Sequence, residues 1–311
     1  MSQHSSGTAA SPRALPAGLA WGLLGVLAFS LSLPTTQVAV RELGPGFATL
    51  GRAAGAALLA AAYLAARRAR LPARSLLPSL LVVSAGVVLG FPLFTAIALQ
   101  TTDSSHGAVI VGLLPAATAV LGVLRTGERP STAFWAACAA GSVAVTAFAV
   151  VRGQGLPTAA DGFTLLAVLA AAAGYAEGAR LAPALGADQV ICWALLLSLP
   201  VVLPLLVLDV VRQVPSAGAA AWSCFAYTAV VSMLLGFFAW YRGLELGGVA
   251  KISQVQLAQP LLTVGASLLL FGQRLEPEVL LAAVAVLVCV AAAQRTRVRP
   301  APVPRPVPQL S

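Results

Sequence analysis

The sequence predicts an all-α membrane protein whose ten transmembrane helices form a 5+5 inverted repeat. Three observations carry this. Hydrophobic residues fill 59% of the 311 positions and charged residues only 9%, against about 25% charged in a soluble domain. The mean hydropathy is +0.90. The apolar runs are ~20 residues of Ala, Leu and Val, long enough to cross a bilayer as helices. They lack the residue-by-residue alternation that a lipid-facing β-barrel strand requires. Finally, one motif recurs at an offset of 145 residues.

The spans follow in order, each closed by charge or by Gly and Pro. Span 1 (17–40) stops at Arg41, before Gly44-Pro45-Gly46. Span 2 (47–66) stops at the cluster from Arg67 to Arg74. Span 3 (75–99) ends in the polar stretch Gln100 to His106, and span 4 (107–124) at Arg125 to Ser131. Span 5 (132–151) is closed by Arg152 to Asp161 and span 6 (162–182) by Pro183 to Asp188. Span 7 (189–208) stops at Asp209, span 8 (219–242) at Gly243 to Gly248, and span 9 (249–271) at Gln273 to Glu276. Span 10 (277–294) meets the tail. Loops this short leave no room for an extramembrane domain. The organisation is therefore a disordered N-terminus (1–16), two five-span repeats (17–151 and 162–294) and a tail (295–311) rich in Arg and Pro. That tail cannot build a core, and its charge suits anionic lipid.

Orientation follows from the basic residues. With the N-terminus inside, fourteen Arg or Lys lie on the cytoplasmic side and four (Arg41, Arg152, Arg212, Arg274) outside, with Arg52 within a span. Positive residues favour the cytoplasmic side, so both termini are expected there, in the inner membrane of the cell. Residues 1–15 lack the pattern of a cleaved secretory signal. The net charge of +9 is spread over short loops and the tail, which is a topological pattern and not a nucleic-acid patch. Cys138, Cys192, Cys224 and Cys289 sit in apolar runs as small packing residues. With two histidines in the chain, no metal or other cofactor is expected. Nothing matches a nucleotide-binding loop.

The repeat is read by setting Leu113-Leu114-Pro115-Ala116-Ala117-Thr118 above Ala258-Gln259-Pro260-Leu261-Leu262-Thr263. Gly127-Glu128-Arg129 then falls on Gly272-Gln273-Arg274. Five spans per copy is odd, so the copies cross the membrane in opposite senses. Inverted repeats of this kind place a pathway at their interface and open it alternately to each side.

These residues, with Arg52 after Pro45-Gly46-Phe47, resemble the drug/metabolite transporter superfamily, in particular its EamA-type ten-helix members. The resemblance covers about residues 17–294, and Gln273 departs from it by replacing a usual Glu. It implies an inner-membrane exporter or permease of small metabolites, with a pathway lined mainly by helices 3, 4, 8 and 9.

The residues themselves give candidates. Ser253, Gln256, Gln259, Thr263 and Ser267 recur every three or four positions of span 9 and share one face. Such a stripe faces protein or water, as a cavity wall or as helix–helix glue. The matching positions of span 4 (Ala108, Val111, Leu114, Thr118, Gly122) are nearly all apolar. One polar and one apolar wall suit an amphipathic or zwitterionic substrate. Pro115 and Pro260 lack an N–H, which frees the carbonyls of Val111 and Gln256 and makes both prolines hinges. Trp240 and Tyr241 beside Arg242 form an interfacial belt or line the pathway, and Phe94 in span 3 presents the same choice. Arg52 is an anchor or a substrate contact. Glu177, the deepest carboxylate by these edges, faces Arg180 one turn on and is the candidate for coupling; Asp103, Asp161, Asp188 and Asp209 are expected to titrate in water. Flux is accordingly expected without a dedicated buried proton-carrying acid.

The expectation is a non-enzymatic transporter, exporting a small amino-acid-like or drug-like metabolite by alternating access. Its partners are the small-molecule substrate and the lipid bilayer, with no nucleic acid. An uptake permease is the alternative. An intramembrane transferase is a weaker one, for want of an acid–base cluster.

Overall fold

The computed structural model describes residues 14–126, 129–152, 157–212, 215–247, 252–271, 277–295 and 298–299. Ten helical passages run through them: α1 (14–43), α2 (45–66), α3 (Arg74–Ala98), α4 (104–126), α5 (Thr132–Arg152), α6 (Ala159–Leu185), α7 (Ala187–Arg212), α8 (219–247), α9 (252–271) and α10 (Pro277–Arg295). Several overrun the apolar edges by a few residues, because a helix satisfies its own backbone and continues into the interface.

α1 and α2 illustrate how local chemistry sets the turns. The apolar stretch that they share runs from Pro16 to Ala66, 51 residues. Straight, that length is about 77 Å at 1.5 Å per residue, more than twice the ~30 Å hydrocarbon layer. Gly44 interrupts it at φ 75 and ψ 160, a conformation that costs glycine little. The following Pro45 disfavours a helical ψ at the residue before it. The chain turns back, and Tyr63 and Arg67 at the end of α2 share a depression with Trp21 at the start of α1. Gly186, at φ 91, does the equivalent work between α6 and α7.

The duplication is visible in the element boundaries. Helical segments begin at Arg74 and Ala219, and at Leu114 and Gln259. Each pair is 145 residues apart. Both copies also carry a π-helical stretch at the same depth, Ser84–Gly90 in α3 and Thr228–Leu235 in α8. Phe91 N–H donates to the Gly86 carbonyl and Gly236 N–H to the Val231 carbonyl, five residues back in each case. Pro92, with no N–H to continue an α ladder, follows the first of these.

The packing obeys the same symmetry. α1 lies against α8 as α6 lies against α3, while α2 meets α7, α4 meets α9 and α5 meets α10. Exchanging the two halves maps this set of pairs onto itself, as an inverted repeat requires. Small residues permit the closest approaches: a Cβ on Gly243 would lie 2.7 Å from the Gly22 nitrogen. Many large apolar side chains are exposed on the outside, Leu269 by 88%, while Gln37, Arg52, Gln256, Gln259 and Glu177 are buried. Beyond the helices, Arg129–Pro130 pairs antiparallel with Val298–Arg299, joining the α4–α5 connection to the chain after α10.

Candidate functional site

Three hollows lie along the interface of the halves. On one face Gln37 and Arg41 of α1, the α3–α4 connection, His106 and residues 158–160 before and at the start of α6 surround about 530 Å³. On the opposite face Trp21, Tyr63, Arg67, the α6–α7 junction, Phe238, Arg242 and Glu245 surround about 380 Å³. Between them is a central cavity of only about 30 Å³, room for about two waters. α1 runs the whole distance, from Trp21 in one vestibule to Arg41 in the other.

The central cavity is built from both repeats. α1 contributes Phe29 and Ser32, α2 Arg52, and α3 Val87, Phe91 and Pro92. From the second copy come Tyr175 of α6, Ser232, Met233 and Phe237 of α8, and Gln259 of α9. Both π-helical stretches reach it, through Val87 and through Ser232 and Met233. A π turn breaks the regular register of a helix and is frequent at functional sites.

Arg52 is the unusual group. It is 4% exposed. Its Nη1 donates to Thr36 Oγ1 at 3.3 Å, and its Nε finds no acceptor. Among the described residues no carboxylate pairs with it. A buried, unpaired cation costs several kcal/mol. Opposite it, the Ser32 and Ser232 hydroxyls meet at 2.5 Å across the two repeats. The apolar wall is aromatic: Phe29 and Phe237 have ring centroids 4.9 Å apart, and Tyr175 meets Phe237 edge-on at 5.9 Å.

A polar lattice flanks the cavity toward the larger vestibule. The Ser104 amide donates to Gln37 Oε1 at 3.0 Å, and the Ser104 and Ser267 hydroxyls meet at 2.8 Å. His106 Nε2 lies 2.5 Å from Asp161 Oδ1, both buried. Asp161 is also held at the start of α6 by a capping box, its Oδ2 accepting from the Thr158 amide at 2.7 Å and hydroxyl at 2.8 Å. On the other side Tyr241 donates to the Gly174 carbonyl at 3.2 Å and Tyr63 to Asp188 Oδ2 at 2.6 Å. Arg180 donates to Glu177 Oε2 from Nε at 3.1 Å and from Nη2 at 2.9 Å, and Nη2 also bonds Ser79. Polar contacts between helices thus flank the cavity toward both faces.

The structure separates the sequence candidates. Of the α9 stripe, Gln259 reaches the cavity. Gln256 donates to Gln259 Oε1 at 3.3 Å while its own Oε1 has no partner. Thr263 donates to the Ser30 carbonyl at 2.8 Å, and Ser267 to the Thr263 carbonyl at 2.9 Å; both pack helices together. The Ser253 side chain lies outside the described residues. Trp240 and Tyr241 are neither belt nor cavity wall: both are fully buried, Trp240 beside Phe29 and Tyr175. The reason is the close packing of α8 against α1 and α6, which turns its C-terminal half inward. Phe94 stacks on Phe163 at 6.4 Å, away from the cavity. Pro115 and Pro260 do sit at breaks, after Gly112–Leu113 and after the 3₁₀ turn Ser253–Ala258. The Gln256 carbonyl that Pro260 frees is taken up again by the Gln259 N–H, so it is not left to a ligand. Among the described residues α4 supplies no cavity wall; the aromatic rings of α1, α3, α6 and α8 do. Asp161, expected in water, is 6% exposed and bonded to His106.

Sequence reasoning missed Tyr175, Ser32, Ser232 and the His106–Asp161 pair. Only Asp161 left a local trace, as the fourth residue of Thr158-Ala159-Ala160-Asp161, a capping-box spacing.

Comparison with known proteins follows the same division. The profile described as the EamA-like transporter family matches twice, over residues 16–150 and 158–293. A protein of Bacillus subtilis (strain 168) described as "Uncharacterized transporter YdeK" is 50% identical over 239 residues, 77% of this chain and 83% of its own. A solved crystal structure superposes with a TM-score of 0.63 at 17% identity, covering 89% of this chain and 96% of that one; it speaks for the fold alone.

Proposed function

Because the chain belongs to the EamA-like transporter family, we propose that it exports a small amphipathic or zwitterionic metabolite across the inner membrane by alternating access. The observation that carries this is the small cavity between two vestibules, one at each face, walled by both repeats. Rocking one half against the other would open it to either side in turn. A wall that joins Gln259 and Arg52 to aromatic rings supports an amphipathic cargo. Outward movement is the direction proposed, and flux in right-side-out and inverted vesicles measures it.

The site is tested by Gln259→Ala and Gln256→Ala. A hydrogen bond to substrate is worth about 1 kcal/mol, or about 2 if the group is charged. Gln259→Ala should therefore lower flux by roughly fivefold to thirtyfold with unchanged membrane abundance. Gln256→Ala should lower it less, because Gln256 acts by holding Gln259. Lost abundance with normal flux per molecule would assign both residues to packing.

The vestibule of His106 is placed outside and that of Arg67 inside, from the excess of basic residues on the Arg67 side. Reporter fusions after Ser79, Arg129 and Ser311 should then report cytoplasm, and those after Thr102 and Gly155 the opposite side. A C-terminus outside would require an odd number of crossings and would overturn the arrangement.

A further inference from the structure

We infer that the substrate is a monoanionic carboxylate with an apolar body, and that Arg52 holds its carboxylate in the central cavity. The inference rests on the proposal that this cavity is the carrier's binding site. Arg52 is buried at the cavity wall, with a guanidinium bonded through one nitrogen to Thr36 and an Nε that has no acceptor. The deep carboxylates are engaged elsewhere, Glu177 with Arg180 and Asp161 with His106. Among the described residues no carboxylate forms an ion pair with Arg52.

A guanidinium is a planar fork of five N–H donors that matches a carboxylate through two parallel bonds. Occupied by such an anion, the site would hold a neutral pair instead of a bare cation. A phosphate dianion would leave one charge uncompensated against a single Arg. A neutral molecule would leave the cation bare, and an amine would be repelled. The rest of the wall fits the apolar part of the molecule: Phe29, Phe91, Tyr175, Phe237 and Met233 offer rings and a thioether. The hollow of about 30 Å³ is too small for a whole metabolite, so binding must part the two halves.

The test uses the full-length protein, purified and also reconstituted in liposomes. Its probes share one body: phenylpropionate, phenylpropionamide and phenylpropylamine. Phenylpropionate should raise the melting temperature saturably, and the amide and amine should not. Arg52→Gln should remove that shift, and Arg52→Lys should keep part of it, because an ammonium keeps the charge and loses the fork. If Arg52→Gln fails to accumulate, the contrast among the three probes on the wild-type protein decides alone. Equal shifts from all three, a shift from the amine alone, or none from phenylpropionate overturns the inference. Counterflow in the liposomes separates it from the carrier proposal. Exchange that ignores the carboxylate and survives Arg52→Gln overturns the anion site and leaves the carrier. Carboxylate-selective binding without counterflow overturns the carrier and leaves the anion site.

Discussion

Gly86→Ala is expected to abolish accumulation of folded protein in the membrane. A Cβ at Gly86 would lie 2.4 Å from the Ala170 carbonyl oxygen and 3.0 Å from the Gly174 nitrogen. Both are backbone atoms of α6, so no rotamer change relieves the contact and α3 must move away from α6. That separation loosens a helix pair that also frames the cavity. Overpacking of this kind costs typically 1–3 kcal/mol and occasionally more, and against rigid backbone about 3 kcal/mol is expected. The control is Gly162→Ala in α6, where an added Cβ meets nothing within 4 Å. Yield after membrane extraction and the melting temperature in detergent should fall sharply for Gly86→Ala and stay unchanged for Gly162→Ala. Equal behaviour of the two would mean that α3 and α6 are not this close.

Asp161→Asn is expected to open the cavity toward the vestibule that contains His106. The His106–Asp161 contact joins α4 of the first repeat to α6 of the second. Opening on that face must pull them apart. Asparagine keeps a side-chain oxygen for Thr158, so the start of α6 persists, while the charged partner of His106 is lost. A hydrogen bond involving a charged group is worth about 2 kcal/mol, or roughly a thirtyfold change in population. The readout is labelling of a single cysteine placed at Ser32, in a background lacking the four native cysteines, by a membrane-impermeant reagent. The rate from the His106 face should rise by about that factor, and the rate from the opposite face should fall. Unchanged rates from both faces would show that the pair does not hold the barrier shut.

The fold was legible in the sequence because the bilayer imposes a length on every apolar run and the duplication imposes a period. Gly44-Pro45 marked the first turn, and the Pro115/Pro260 register anticipated helical boundaries that coincide at one offset. The site was far less legible. Hydropathy reports that a residue is apolar enough to enter the membrane, not which neighbour it meets there. Trp240 and Tyr241 stand next to Arg242 like a belt, yet helix packing buries them. Thr263 and Ser267 fall on the same stripe as Gln259, but a carbonyl of α1 and a hydroxyl of α4 claim them. The His106–Asp161 contact joins residues 55 apart, and no local pattern carries such a pairing. The π-helical stretches disturb neither hydropathy nor composition, so only the backbone reveals them.

Those two stretches also bear on how the protein arose. A π turn has the geometry an α-helix would take on gaining one residue without losing its neighbours' contacts. Here the two stretches lie in α3 and α8, at positions that the 145-residue period superimposes. Two separate insertions after the halves had diverged would have had to strike the same turn twice. One insertion in a five-helix ancestor, copied when its gene doubled, accounts for both. The irregularity then belongs to the repeated unit itself, and the two-fold architecture displays it once on each side of the central hollow.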